Sequence, residues 1–77
     1  MKFSTKIPGL FVIIGVTERG NLAPTVVNDS AEIIERSSLT YGNKENAIDA
    51  AIVMVIRAAN RMHLDIPKDV ASVEEMR

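Results

Sequence analysis

Apolar residues in the first half of the chain are grouped as they are in β-strands. Leu10–Val16 is a run of mostly β-branched residues, and its length and composition predict a strand. Gly20 and Asn21 follow it and indicate a hairpin turn. A second strand is predicted over residues 22–27, where Pro24 has no N–H to give to a ladder. This strand is therefore expected to lie at a sheet edge or to begin after Pro24.

A third strand is predicted over residues 31–41, although its alternation is mixed. A polar Asn-Asp-Ser turn precedes it, and such side chains bond back to nearby backbone. Ile33 and Glu35 share one face of the strand, whereas Ile34 and Arg36 share the other. Because side chains alternate between the two faces of a strand, neither face is wholly apolar, and the pattern does not decide which face is buried.

A long amphipathic helix is predicted over residues 44–62. Asn43 is suited to cap its first turn, because the side-chain oxygen can accept a free backbone N–H. Glu45 then lies near the positive end of the helix dipole. At about 100° per residue, one side of the helix carries an apolar stripe that suits packing on a sheet. The stripe consists of Ile48, Ala51, Ile52, Val55, Ala59 and Met62.

The apolar surface of this helix is wider than a small sheet requires. A helix packed on a sheet needs a stripe of about 100°, and this helix offers roughly twice that. Met54 extends the stripe on one side and Ile56 on the other, while Val53 lies among polar residues. Either such residues are exposed without consequence, or a helix flank or the other sheet face packs against a second subunit. The predicted interaction surface comprises Val53, Met54, Ile56, Arg57 and Arg61.

The two ends of the chain complete the predicted architecture. Residues 1–7 alternate weakly and form either a short edge strand or a loose arm. A short C-terminal helix is predicted to open at Asp65, because proline is tolerated in a first helical turn, with Val70, Val73 and Met76 at helical spacing. The expected fold is α+β: an antiparallel sheet of two to three strands, one long helix packed on it and the short C-terminal helix. All of these form a single domain that covers the whole chain.

Composition limits how such a domain is stabilised. The chain has 77 residues and no Cys, with 47% hydrophobic residues but only 4% aromatic ones. A domain of this size buries a limited core, and the lack of Cys excludes disulfides and thiolate metal sites. Its stability therefore rests on aliphatic packing, either within the chain or against a second subunit.

Charge and hydropathy narrow the range of partners. The formal net charge is −1, with 9 basic and 10 acidic residues, and this balance argues against nucleic acid or an anionic membrane. The longest apolar run is far shorter than the roughly 20 residues that span a bilayer. It also leads to no small-residue cleavage site of the kind found in signal peptides. We therefore expect a cytoplasmic protein without a membrane partner.

No pattern of residues typical of catalysis, cofactor binding or metal binding is present. His63 is the sole histidine, and its place near the predicted helix end fits a surface residue better than a general base. Asp65 and Asp69 lie near it in sequence, but without cysteine or a second histidine they are weak evidence for a metal. No catalytic residue, cofactor or metal site is predicted, and an enzyme is not favoured.

One series of residues leads from the polar turn to the start of the long helix: Asn28, Ile34, Ser37 or Ser38, Tyr41, Lys44 and Ala47. In this series an asparagine leads the turn after a strand, an isoleucine and a serine precede a tyrosine, and a lysine and a small residue open the helix. About half of the chain thereby resembles the YegP-like family of small bacterial proteins. The resemblance implies a three-stranded antiparallel sheet with one helix across it, paired with a second such unit as a tandem repeat or a dimer. It implies no activity and no functional residue.

Small size, the lack of a cofactor motif and the wide apolar helix surface favour a non-enzymatic protein-interaction module. We expect an accessory or inhibitor-like protein of bacterial or phage origin that acts as a homodimer. One alternative is a nucleic-acid-binding module that uses Arg57, Arg61 and Lys68, because guanidinium groups suit phosphate. Another is a small-ligand binder or enzyme with a site at the subunit interface, which needs converging carboxylates or Tyr41 close to His63.

Overall fold

A two-layer structure of one sheet and one helix is seen in the computed structural model, which describes residues 1–77. Its elements are β1 (Lys2–Ser4), β2 (Leu10–Val16), β3 (Leu22–Asn28), β4 (Ile33–Arg36), α1 (Lys44–Arg61) and β5 (Glu74–Met76). The five strands lie in the order β4-β3-β2-β1-β5, and every neighbouring pair is antiparallel. No helix combines the length and the apolar character needed to cross a membrane.

The structure has the expected α+β class, but its sheet contains five strands and not two to three. β1 lies inside the sheet, with Phe3 opposite Val12 of β2 and opposite Glu75 of β5. Residues 1–7 therefore provide an inner strand, and neither an edge strand nor a loose arm. Strands of three residues show too little alternation to be recognised locally, because only pairing with distant strands defines them.

The predicted C-terminal helix is wrong, because residues 74–76 form the edge strand β5. The segment before it, residues 62–73, crosses back over the molecule as turns and irregular chain. Val70 and Val73 pack against the core. The prediction that they are buried is therefore right, although the segment that carries them is not helical. A spacing of three residues fits a packed turn as well as a helix, and the pairing of β5 with β1 decides between them.

Pro24 lies within the inner strand β3, which was predicted to be an edge strand or to begin after this residue. Its carbonyl oxygen accepts the N–H of Ser37 at 3.2 Å. In a strand the N and C=O of one residue point to the same side. The proline nitrogen therefore faces Ser37, the residue that directly follows the end of β4. The missing N–H therefore removes no ladder bond, which explains why proline is tolerated here.

The core lies between one face of the sheet and the inner side of α1. The sheet contributes Phe3, Leu10, Val12, Ile14 and Val26, and the helix contributes Ala47, Ala51, Met54, Val55, Ala58 and Ala59. Most of the helical members are alanines, whose small size lets the helix approach the sheet closely. The buried stripe is consequently rotated from the predicted one, so that Ile48 and Ile52 lie half-buried on its flank and Met62 is exposed.

Both ends of α1 are capped by specific hydrogen bonds. The Oδ1 of Asn43 accepts the N–H of Asn46 at 2.8 Å, which confirms the predicted N-cap. At the other end Leu64 N–H bonds the Ala59 carbonyl and His63 N–H bonds the Asn60 carbonyl. This pair of bonds is a Schellman motif, and it requires His63 to adopt a positive φ of 56°. The lone histidine thus terminates the helix.

We expect His63→Gly to stabilise the fold by about 0.5–1 kcal/mol, because glycine adopts the left-handed conformation without the penalty of a Cβ. Urea denaturation measures this change. The matched control is Asn60→Gly, which places glycine at an exposed position inside the helix and should destabilise by about 0.5–1 kcal/mol. Loss of stability in His63→Gly would show that the imidazole makes a stabilising contact.

The edge strand β5 is attached to the start of the helix by an ion pair. Lys44 Nζ lies 2.8 Å from Glu75 Oε1 and 5.7 Å from the centroid of the Phe3 ring. The hydrogen bond and the charge of Lys44 hold the pKa of the Glu75 carboxyl below its ordinary value. The contribution of this pair is present above the ordinary pKa of Glu75 and is lost as the pH falls through its lowered pKa.

Replacing Lys44 with Met should therefore raise the pKa of Glu75 toward its ordinary value. The carboxyl ¹³C shift of Glu75, followed by NMR through an acid titration, reports this midpoint directly. Lys68→Met is the matched control, because Lys68 is exposed and forms no ion pair. An unchanged midpoint in Lys44→Met would contradict the pairing.

Candidate functional site

A β-bulge in β4 determines which side chains face the helix. Val27 lies opposite Ile33 and Val26 lies opposite Glu35. One step along β3 thus corresponds to two steps along β4, so that Ile34 is the extra residue of the bulge. The bulge directs Ile34 and Glu35 to the same face, where Ile34 packs against the core. This explains the mixed alternation of the predicted third strand.

Glu35 is held by the two arginines of the helix. Its Oε1 lies 2.6 Å from Arg57 Nη2, and its Oε2 lies 3.6 Å from Arg61 Nη2. The carboxylate side chain is only 12% exposed, and Oε2 has no hydrogen-bond partner. Arg61 instead donates to the carbonyl of Ile34 at 3.0 Å. The two arginines lie one helical turn apart, which lets both reach the same carboxylate.

A half-open groove lies beside this cluster, between the chain that follows β4 and the helix. Its volume is about 560 Å³, and its walls include Glu35, Leu39, Tyr41, Val53, Met54 and Arg57. Tyr41 is placed there by a bridge to Leu22, with backbone hydrogen bonds in both directions. The helix provides Val53, Met54 and Arg57, and the segment from β4 onward provides Glu35, Leu39 and Tyr41, so each wall carries both polar and apolar side chains.

The five residues of the predicted interaction surface occupy different environments. Val53 is 56% exposed on the outer side of α1, whereas Met54 is buried in the core and only borders the groove. Ile56 is half-buried. Arg57 and Arg61 are exposed, but both are engaged with Glu35. These residues therefore do not form one continuous apolar patch.

A second candidate surface is the sheet face that the helix does not cover. Two rows of residues cross it in register from β4 to β5: Arg36, Thr25, Ile13, Lys2 and Met76, then Ile33, Val27, Phe11, Ser4 and Glu74. We call these ten residues the open face.

The middle of the open face is apolar. Ile13 is 37% exposed and Ile33 is 53% exposed. Val27, flanked in register by Phe11 and Ile33, is buried although it is not part of the helix-side core. Lys2 lies over Phe11, with Nζ 4.9 Å from the ring centroid. An exposed patch of this kind is typical of a surface that packs against another layer.

Three titratable residues lie near the end of the helix. His63, Asp65 and Asp69 are all exposed, and no group of three or more His, Asp or Glu side chains is arranged to hold a metal ion. Tyr41 borders the groove but His63 does not. One of the two arrangements named for the ligand-binding alternative, Tyr41 with His63, is therefore not formed in the groove.

A scan of family models, a search of curated proteins and a search of solved structures each found no match to this chain. The YegP-like resemblance stays a prediction.

Sequence reasoning missed the role of Glu35, which it placed only on the same strand face as Ile33. The bulge is what turns this residue toward the helix. The signal that could have revealed this role is the order of two isoleucines and then a glutamate from Ile33 to Glu35. With strict alternation, only one of the two isoleucines can face the core. A bulge is one way to satisfy such a sequence.

We expect Arg57→Met to destabilise the fold by about 1–2 kcal/mol, because the mostly buried carboxylate of Glu35 loses its nearest partner. In a Glu35→Gln background, the loss of unfolding free energy caused by Arg57→Met should be smaller by about 1 kcal/mol than in the parent. Urea denaturation of the four proteins completes this double-mutant cycle. Arg19→Met, which removes an exposed arginine without an ion pair in a turn, serves as control and should change stability by less than about 0.5 kcal/mol. Equal costs of Arg57→Met in both backgrounds would contradict the coupling.

Proposed function

We propose that this chain is a small non-enzymatic protein-interaction module that pairs with a second copy of itself through the open face. The observation that supports it is the apolar middle of a sheet face that no helix covers. A domain with one helix has a single covering layer, so burial of the second face needs another chain.

The order of charges across the open face favours a second copy as the partner. Arg36 lies at the β4 end and Glu74 at the β5 end; between them the strands β3 and β2 carry mostly apolar residues, and β1 carries Lys2 and Ser4. A two-fold axis parallel to the strands lays β4 of one copy over β5 of the other. Each Arg36 then approaches a Glu74, and Ile13 on the central strand β2 lies near the axis. Isologous pairing of this kind is the commonest form of dimer.

This arrangement is a sandwich of two sheets about 10 Å apart with a helix on each outer side. The helices stay available to a different protein, as an accessory or inhibitor-like role requires. The nucleic-acid alternative loses support, because Glu35 offsets one of the two positive charges of Arg57 and Arg61. The net charge of −1 also gives no general attraction to phosphate.

Sedimentation equilibrium over a wide concentration range tests the proposal. We expect a dimer whose dissociation constant rises at least about tenfold in Ile13→Asp, because pairing would bury an unpaired carboxylate. Ile33→Asp, at a more exposed position on the same face, should also raise the dissociation constant. This second variant keeps the test valid if Ile13→Asp does not fold.

Val53→Asp is the matched control, since Val53 lies on the opposite layer and is also exposed. It should leave the dimer unchanged. A parent chain that stays monomeric at millimolar concentration would exclude pairing altogether. A dimer weakened by Val53→Asp and not by the open-face variants would place the interface on the helix.

A further inference from the structure

We propose that the groove beside Glu35 binds a small organic carboxylate, with Arg57 on the acid group and the apolar side chains of the groove on the rest of the molecule. This inference does not depend on pairing through the open face, since the groove lies on the helix side of the sheet.

Arg57 carries the first part of the argument. Its side chain is 61% exposed and borders the groove. One Nη is engaged with Glu35, yet a guanidinium has five N–H donors, so most of them stay available. Arginine presents these donors in a planar fork that matches a carboxylate. Because Glu35 already holds the guanidinium in place, binding costs less side-chain entropy than it would for a free arginine.

The local charge balance selects an anion over a cation. Arg57 and Arg61 place two positive charges around the single negative charge of Glu35. Glu35 borders the groove, but its side chain is only 12% exposed and its charge is offset by the arginines, so its main role is to position Arg57. A cation entering the groove would meet the excess positive charge, whereas an anion would be attracted.

The apolar side chains of the groove favour an apolar body. Val53, which is exposed, and Met54 lie on the helix within one turn of Arg57. Leu39, which is also exposed, and Tyr41 lie on the segment that follows β4. These side chains gain from burial against an aliphatic or aromatic group. A volume of about 560 Å³ lies within the range of roughly 300–1,000 Å³ found for small-molecule sites. An acid with a short apolar chain or ring meets both requirements, whereas a bare phosphate meets only the first.

Titration with 4-phenylbutyrate, followed by ¹H–¹⁵N NMR of the parent chain, tests this site. We expect saturable shifts at Arg57 Nε and at the amides of Val53, Leu39 and Tyr41. The neutral analogue 4-phenylbutyramide should bind at least about tenfold more weakly, because it loses the charged hydrogen bonds. Inorganic phosphate should also bind more weakly, because it lacks the apolar body.

Substitutions at Val53 separate binding from folding. Val53→Asp places a negative charge on the groove wall and should weaken phenylbutyrate binding several-fold. Val53→Asn, similar in shape but neutral, should weaken it clearly less. Both variants change one exposed position, so the fold is expected to persist. Arg57→Gln should abolish the preference for the acid over the amide.

Three results would overturn the proposal. The first is equal binding of the acid and the amide, which would remove the role of Arg57. The second is phosphate binding as tight as that of phenylbutyrate at the same residues. The third is the absence of any saturable shift at the groove while the spectrum shows a folded chain.

Discussion

One helix can cover only one face of a sheet, and the rest of this structure follows from that constraint. The alanine-rich side of α1 closes over Phe3, Val12, Ile14 and Val26 and completes a core on that side. The other face must then tolerate water or meet a second layer. A chain with no disulfide and few aromatic residues gains much from such a layer, because its own core is small.

The bulge in β4 has a local consequence that ordinary alternation would not produce. It brings both Ile34 and Glu35 to the helix side of the sheet. Ile34 packs against the core, and Glu35 forms ion pairs with the two arginines of the helix. Arg61 also donates a hydrogen bond to the carbonyl of Ile34 on this edge strand. An edge strand that is short, bulged and capped by a side chain is a poor template for pairing with another strand. The bulge therefore protects this edge from pairing and also places Glu35 beside the groove.

The sequence predicted the parts of this fold that depend on local patterns. Strand β2, the helix and its Asn43 cap follow from composition, periodicity and one hydrogen-bonding side chain. The strands β1 and β5 were missed or misassigned, because three residues carry no period and their pairing joins the two ends of the chain. Pro24 was misleading for a similar reason, since its tolerance depends on where β4 ends. At the candidate site, Arg57 and Arg61 were recognised as a pair, but their partner Glu35 was not, because the bulge reverses its expected direction.

The two candidate surfaces lie on opposite layers, and this separation has a functional meaning. Pairing through the open face would bury Ile13 and Phe11 while leaving the outer side of each helix exposed. The groove would then occur twice in a dimer, once on each outer side and far from the two-fold axis. Ligand binding and pairing would be thermodynamically coupled only if the sheet or the β4 bulge changed shape between the states. Because Glu35 joins β4 to the helix through Arg57, that ion pair is the element through which such a coupling would have to act.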